Sequence, residues 1–158
     1  MIRRPEALPY RHVLTMPTTG AAVRVARETT EQVLTEWGVD RRHPCVDPVL
    51  LILAELVTNS VRHAAAVSPQ VTVVYAGGPD TFAFAVHDRH PYQPALLAAF
   101  TDGGRGGEGS GGRGDGPGAA SGGGLPTVVQ LTLQLGGTAV VRGDPDGRGK
   151  SVWITLPL

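Results

Sequence analysis

Leu51-Ile52-Leu53-Ala54-Glu55-Leu56-Val57-Thr58-Asn59-Ser60-Val61-Arg62-His63-Ala64 sets a carboxylate, an amide and an imidazole at intervals of four residues. At 3.6 residues per turn, positions i, i+4 and i+8 fall close to one line along an α-helix, so Glu55, Asn59 and His63 share a face. Leu53, Leu56, Val57, Ser60 and Ala64 point largely elsewhere and give the helix a packing face of its own. The polar stripe is therefore not needed to hold the helix down. A carboxylate that can take a proton, one turn from an amide oxygen that can ligate a hard cation, suits phosphoryl transfer or nucleotide hydrolysis. Taken alone, such a stripe can equally be a solvated helix face. The rest of the chain decides between the two.

At 158 residues and 16.5 kDa, the chain is long enough for one domain that buries ~70% of its unfolded surface. Fourteen basic residues balance fourteen acidic ones, so no long-range field draws the protein to nucleic acid or to an anionic membrane. A polyanionic ligand would need a local site. No apolar run approaches ~18 residues and no signal-like segment opens the chain, which predicts a protein neither spanning a membrane nor secreted. The single cysteine, Cys45, has no internal disulfide partner, in keeping with a reducing cytoplasm. Thirteen of the fourteen basic residues are arginine, and Lys150 is the only lysine.

Residues 1–9 carry two prolines and little pattern and are expected to form a loose arm leading into a strand at Tyr10 to Thr15. Val23, Ala26, Thr30, Val33 and Trp37 then step by three and four, the spacing of an amphipathic helix with Thr19 as N-cap and Gly38 as its stop. The helix bearing the polar stripe should run from Asp47 to Ala66, with Asp47-Pro48 as a cap-and-N1 pair. Val71 to Tyr75 and Phe82 to Val86 are rich in β-branched and aromatic residues, and Gly77-Gly78-Pro79-Asp80 joins them as a hairpin. A helix over Leu125 to Leu135 and a final hairpin of Thr138 to Val141 with Ser151 to Leu156 complete the chain. Helices segregated from a mainly antiparallel sheet predict an α+β fold, a two-layer α/β sandwich with the helices on one face. Residues 10–158 are expected to form one domain.

Four further stretches bear on chemistry. Asp88 ends the second hairpin strand in Ala85-Val86-His87-Asp88-Arg89-His90-Pro91, where a carboxylate at the open edge of the sandwich can accept a hydrogen bond from an exocyclic amine such as adenine N6; a turn aspartate is the plain alternative. His87-Asp88-Arg89-His90 contains metal-ligand types but lacks a third ligand at zinc spacing. Residues 103–124 hold 13 of the chain's 22 glycines and predict a loop that does not order itself by burial. Its backbone N–H groups could wrap phosphates where Ser121-Gly122-Gly123-Gly124-Leu125 leads into a helix N-terminus; a plain insertion is the alternative. Reading its Arg105 and Arg113 as an RNA-binding tract fails on charge, because Asp102, Glu108 and Asp115 offset them and no aromatic residue is present. Gly143 to Ser151 is a P-loop near-miss, with five residues rather than four between Gly143 and Gly149 and a strand rather than a helix after it. No Ser-His-Asp setting supports acyl transfer.

Glu55-Leu56-Val57-Thr58-Asn59-Ser60-Val61-Arg62-His63-Ala64 resembles the N-box of the GHKL, or Bergerat-fold, ATPases, the superfamily of gyrase, the heat-shock chaperone ATPase, histidine kinases and the mismatch-repair ATPase. Within it, the segment is most similar to the small anti-sigma factor serine/threonine kinases of actinobacteria, over residues 15 to 158 and in the order of elements. The resemblance implies that Glu55 is the general base and that Asn59 holds Mg²⁺ against ATP. It makes Asp88 the adenine-binding aspartate, followed by Pro91 and Pro94 as in actinobacterial relatives. It makes residues 102–124 the ATP lid, with Ser121, Gly122, Gly123, Gly124 and Leu125 at its Ser-Gly-x-Gly-Leu end. Gly149-Lys150-Ser151-Val152-Trp153 resembles the last box, in which Ser151 would help Asp88 hold adenine. His63 would contact lid or phosphate, or cap its helix. Arg24, on the polar side of the first helix with Arg27, Glu28 and Glu31, would meet a partner, or form a solvated face.

The chain departs from the pattern where Arg89, His90 and Tyr92 replace the glycines of Asp-x-Gly-x-Gly. It departs again where Gly123 and Ala120 stand at positions that carry arginine in some relatives. The implied function is a cytoplasmic, ATP- and Mg²⁺-dependent kinase that phosphorylates a STAS-domain anti-sigma antagonist or sequesters a sigma factor, with no direct contact to nucleic acid or membrane and with a homodimer left open. The alternative is a non-catalytic protein-binding module that keeps the fold without turnover.

Overall fold

The computed structural model describes residues 3–91 and 125–158. The chain runs β1 (Tyr10–Pro17), α1 (Ala21–Glu36), α2 (Val46–Ala64), β2 (Gln70–Gly77), β3 (Thr81–Asp88), α3 (Leu125–Gln134), β4 (Thr138–Gly143) and β5 (Lys150–Pro157). Among the described residues, five strands form one antiparallel sheet in the order β1-β2-β3-β5-β4, and three helices cover one face. No helix among the described residues is long and apolar enough to cross a membrane.

Strand alternation sorts the side chains. Val71, Val73 and Tyr75 of β2, Phe82, Phe84 and Val86 of β3, and Val152, Ile154 and Leu156 of β5 face the helices and meet Ala22, Ala26, Val33 and Leu34 of α1 and Val49, Ile52, Leu53, Leu56 and Val57 of α2. Each such valine, leucine, isoleucine or phenylalanine side chain contributes about 1.5–3 kcal/mol by leaving water, and each alanine less. The polar group that Tyr75 brings into this layer is satisfied: its hydroxyl lies 2.8 Å from Thr30 Oγ1, which donates to the Ala26 carbonyl at 2.7 Å. Burial pushes the Tyr75 phenol up to about 12, with the Thr30 bond opposing the shift.

Several local expectations shift by a residue or more. Helix α1 begins after Gly20 with no side-chain cap, the Thr19 amide being turned onto the Pro17 carbonyl at 2.9 Å. Helix α2 begins at Val46, so Asp47 and Pro48 sit inside its first turn, where a proline removes no helical hydrogen bond. Its C-terminus is Ala64, whose carbonyl takes the amides of Val67 and Ser68. Gly38 does end α1, in the left-handed conformation at φ 78°.

The N-terminal arm corrects the expectation of a loose segment. Pro5–Ala7 form a 3₁₀ turn on the sheet's outer face, and Leu8 is buried against Ala76, Ala83 and Trp153. Arg11 donates to the Pro5 carbonyl at 2.9 Å, and Glu6 pairs with Arg142 of β4, which holds the Glu6 carboxyl below its usual range. The alanines leave room for the arm, and Leu8 supplies the apolar area that keeps it there.

Candidate nucleotide site

Helix α2 turns Leu53, Leu56, Val57, Ser60 and Ala64 into the core and leaves Glu55 and Asn59 half-buried and His63 exposed. Among the described residues, none of the three has a hydrogen-bond or ion-pair partner. Toward the described residues the stripe therefore has its acceptors and donors uncommitted, while its helix is held from the other side.

Ser60, one residue past Asn59, links this helix to the sheet. Its hydroxyl donates to Asp88 Oδ2 at 2.7 Å. Asp88 ends β3 and is 3% exposed. Its direct partner in the β3–β5 register is Lys150, whose ammonium lies 2.8 Å from Oδ1 and donates to the His90 carbonyl at 3.2 Å. The His90 amide also reaches Oδ1, at 3.0 Å. A carboxylate has about four acceptor positions, so among the described residues three are filled and one on Oδ2 remains. An exocyclic amine would need one such acceptor, and Glu55 and Asn59 carry the carboxylate and the amide oxygen of the kinds that could meet a cation.

Ser151 is not brought to Asp88. It pairs across the strands with His87 and Arg142, and like them it belongs to the outer face, whereas Lys150 faces the helices with Asp88. On that outer face His87 Nε2 lies 2.9 Å from Asp144 Oδ2, and Arg89 bridges Asp144 at 2.8 Å and Asp146 at 2.7 Å. Arg89 holds the Asp146 carboxyl below its usual range, and Asp146 in turn raises the guanidinium. Among the described residues no group of three or more His, Cys, Asp and Glu is arranged to hold a metal. These pairs pin the β4–β5 hairpin to the end of β3. Gly149 permits the approach, since a Cβ there would stand 2.3 Å from Asp144 Oδ2 and 2.7 Å from the Asp88 carbonyl. A cleft of about 570 Å³ opens beside this junction between Val67, Arg89, His90, Pro91, Gly147 and Arg148.

Ser121, Gly122, Gly123 and Gly124 lie outside the described residues, as does the rest of the glycine stretch; Leu125 is the first residue of α3. Arg24 stands far out on α1, with its side chain 85% exposed and paired to Glu28 at 3.0 Å. Ser60 and Lys150, which meet Asp88, belong to none of the site positions expected from the sequence. Both signals were present, a hydroxyl beside Asn59 and a lone lysine in an arginine-rich chain, but the pairing of residues 88 and 150 depends on a strand register that spacing does not specify.

The model of the family described as histidine kinase-, DNA gyrase B- and HSP90-like ATPases matches residues 46–158. No curated protein matches the chain significantly in sequence. Among solved structures, the RsbU and RsbW domains of Rv1364c from Mycobacterium tuberculosis superpose with a TM-score of 0.59 at 18% identity, over 95% of this chain and 33% of that one. The chain thus spans about a third of the length of that solved chain. The histidine kinase domain of the E. coli osmosensor EnvZ gives a TM-score of 0.52 at 21% identity over 90% of each chain. At these identities the likeness is one of fold. The family match covers well over half of the sequence, and the chain belongs to the histidine kinase-, DNA gyrase B- and HSP90-like ATPases.

Proposed function

We propose that the chain is a cytoplasmic ATP-binding regulator that transfers the γ-phosphoryl group to a serine or threonine of a partner protein. The observation that supports this reading is the layout of α2: among the described residues Glu55 and Asn59 have no side-chain partner on a half-buried stripe, while Ser60 of the same helix is tied to Asp88 at the end of β3. Asp88 accepts the adenine amine on its remaining lone pair. The Asn59 side-chain oxygen is the ligand for Mg²⁺, a hard cation that neutralises the phosphates. Glu55 takes the proton from the acceptor hydroxyl as the phosphoryl group moves. The lid of this reading is residues 102–124, which lie outside the described residues and end in Ser121, Gly122, Gly123 and Gly124 just before Leu125, and His63 on the last turn of α2 is its candidate contact to lid or phosphate.

The partners in this reading are a STAS-domain antagonist as phosphoryl acceptor and a sigma factor as the protein held. Arg24 and its neighbours on α1 provide the contact surface, beside a cleft lined by Gly20, Val23, Arg24, Arg27, Glu28 and Glu31. Capture of a sigma factor by Arg24→Ala as strong as by wild type would move that surface elsewhere.

Nucleotide titration with and without Mg²⁺ tests the core of the proposal. ATP should bind in both conditions and more tightly with Mg²⁺, and Asn59→Ala should lose the Mg²⁺-dependent part. Equal Mg²⁺ dependence in Asn59→Ala and wild type would remove Asn59 from the site. ATP binding without any phosphoryl transfer to a captured partner would favour a binding module that kept the fold without turnover.

A further inference from the structure

The filling of Asp88 has a bearing on which base the site accepts. Among the described residues, Oδ1 is taken twice, by the Lys150 ammonium at 2.8 Å and the His90 amide at 3.0 Å, whereas Oδ2 takes only the Ser60 hydroxyl at 2.7 Å. A base edge offering one N–H to the carboxylate, as adenine does through N6, can use the vacancy on Oδ2. Guanine offers two adjacent N–H groups, on N1 and N2, and such a pair is best met by a carboxylate accepting on both oxygens at once.

We propose that Lys150 is a specificity-determining residue: by holding Oδ1 it confines Asp88 to a single accepted N–H and so disfavours guanine nucleotides. The inference rests on the reading of Asp88 as the base-reading group and adds a reason for its selectivity. The residue type matters. An ammonium is a compact charge that can sit on one oxygen, and here its other fixed bond goes to the His90 carbonyl at 3.2 Å. A guanidinium, the group this chain uses at all its other basic positions, would fork onto both oxygens and compete with Ser60 and the base alike. The lysine cannot drift from its post, being 5% exposed and opposite Asp88 in the register, on a strand drawn against β3 at Gly149.

Displacement of a fluorescent ATP analogue from the full chain by ATP, GTP and ITP provides the test. ITP carries N1–H and no N2 amine, so GTP gains over ITP only where both carboxylate oxygens can accept. Wild type should prefer ATP and treat GTP and ITP alike. Lys150→Met should narrow the ATP-to-GTP ratio by about tenfold or more and give GTP an advantage over ITP, since a good bidentate pair discriminates by roughly that factor. A lysine needed only for packing would weaken all three ligands in proportion, and an unchanged ratio in folded Lys150→Met overturns the inference while leaving Asp88 as the base reader. Equal affinity of wild type for ATP and GTP overturns both. If Lys150→Met does not fold, the wild-type comparison decides, because a GTP advantage over ITP of about tenfold would mean that Oδ1 is already open.

Discussion

Phe82 and Asp88 lie on the same strand and face the same layer of helices, yet the two ends of β3 are secured by opposite means. At Phe82, rings do the work: Trp37 meets it edge-on with centroids 6.0 Å apart, Phe84 follows at 6.1 Å, and Trp37 also covers Gly77 so closely that a Cβ would sit 2.5 Å from its ring. At Asp88, three hydrogen-bond donors from α2, β5 and the strand's own continuation converge on one carboxylate. Apolar packing is non-directional and proportional to area, so the first end contributes stability without choosing a ligand. Hydrogen bonds are directional and leave a countable remainder, so the second end can select. Stability and selectivity should therefore respond to different substitutions along a single strand.

The largest effect on stability is expected at the ring-lined end. Phe82→Ala should cost about 3–5 kcal/mol in urea unfolding and leave the ATP-to-GTP preference untouched; a changed preference would mean the two ends are not independent. Next comes alkaline pH. Tyr75 is neutral in the fold to about 12, against roughly 10 for the free side chain, so its contribution is fully present below about pH 10 and is lost as pH rises toward 12. That difference amounts to about 3 kcal/mol at most. Tyr75→Phe should flatten this part of the stability profile, and an unaltered alkaline limb would assign it elsewhere.

At the polar end, Ser60→Ala should cost about 1–3 kcal/mol, because it strips a buried carboxylate of a donor. Unlike Phe82→Ala, it should also alter nucleotide affinity. The smallest stability effect should come from Glu55→Gln, within about 0.5 kcal/mol, since Glu55 has no partner among the described residues. That same variant should abolish phosphoryl transfer to a captured partner while nucleotide affinity stays near wild type. Retained transfer would remove Glu55 as the base.

Features that depend on local periodicity were legible in the sequence. The stripe of Glu55, Asn59 and His63, the alternation in β2 and β3 and the glycine stop after α1 each follow from neighbours a turn or a pleat away. Features that depend on distant partners were not. Thr19 has the chemistry of a cap but is drawn into a turn with Pro17. Residues 5–8 look patternless until Ala76 and Ala83 are beneath them. Ser151 and Lys150 differ by one position, and in a strand one position is the difference between the two faces of a sheet. The residue that meets Asp88 was thus adjacent to the expected one and invisible without the register.

The placement of Trp37 and Trp153 has an optical consequence. One indole caps α1 and lies over Gly77; the other sits on the outer face beneath the N-terminal arm, packed with Leu8. Neither belongs to the residues assigned to the nucleotide, so the chain carries two built-in fluorophores that report on its scaffold rather than on its ligand. Emission that shifts when ATP is added would mean that the sheet itself responds, and a red shift confined to Trp153 would register the arm lifting from the outer face.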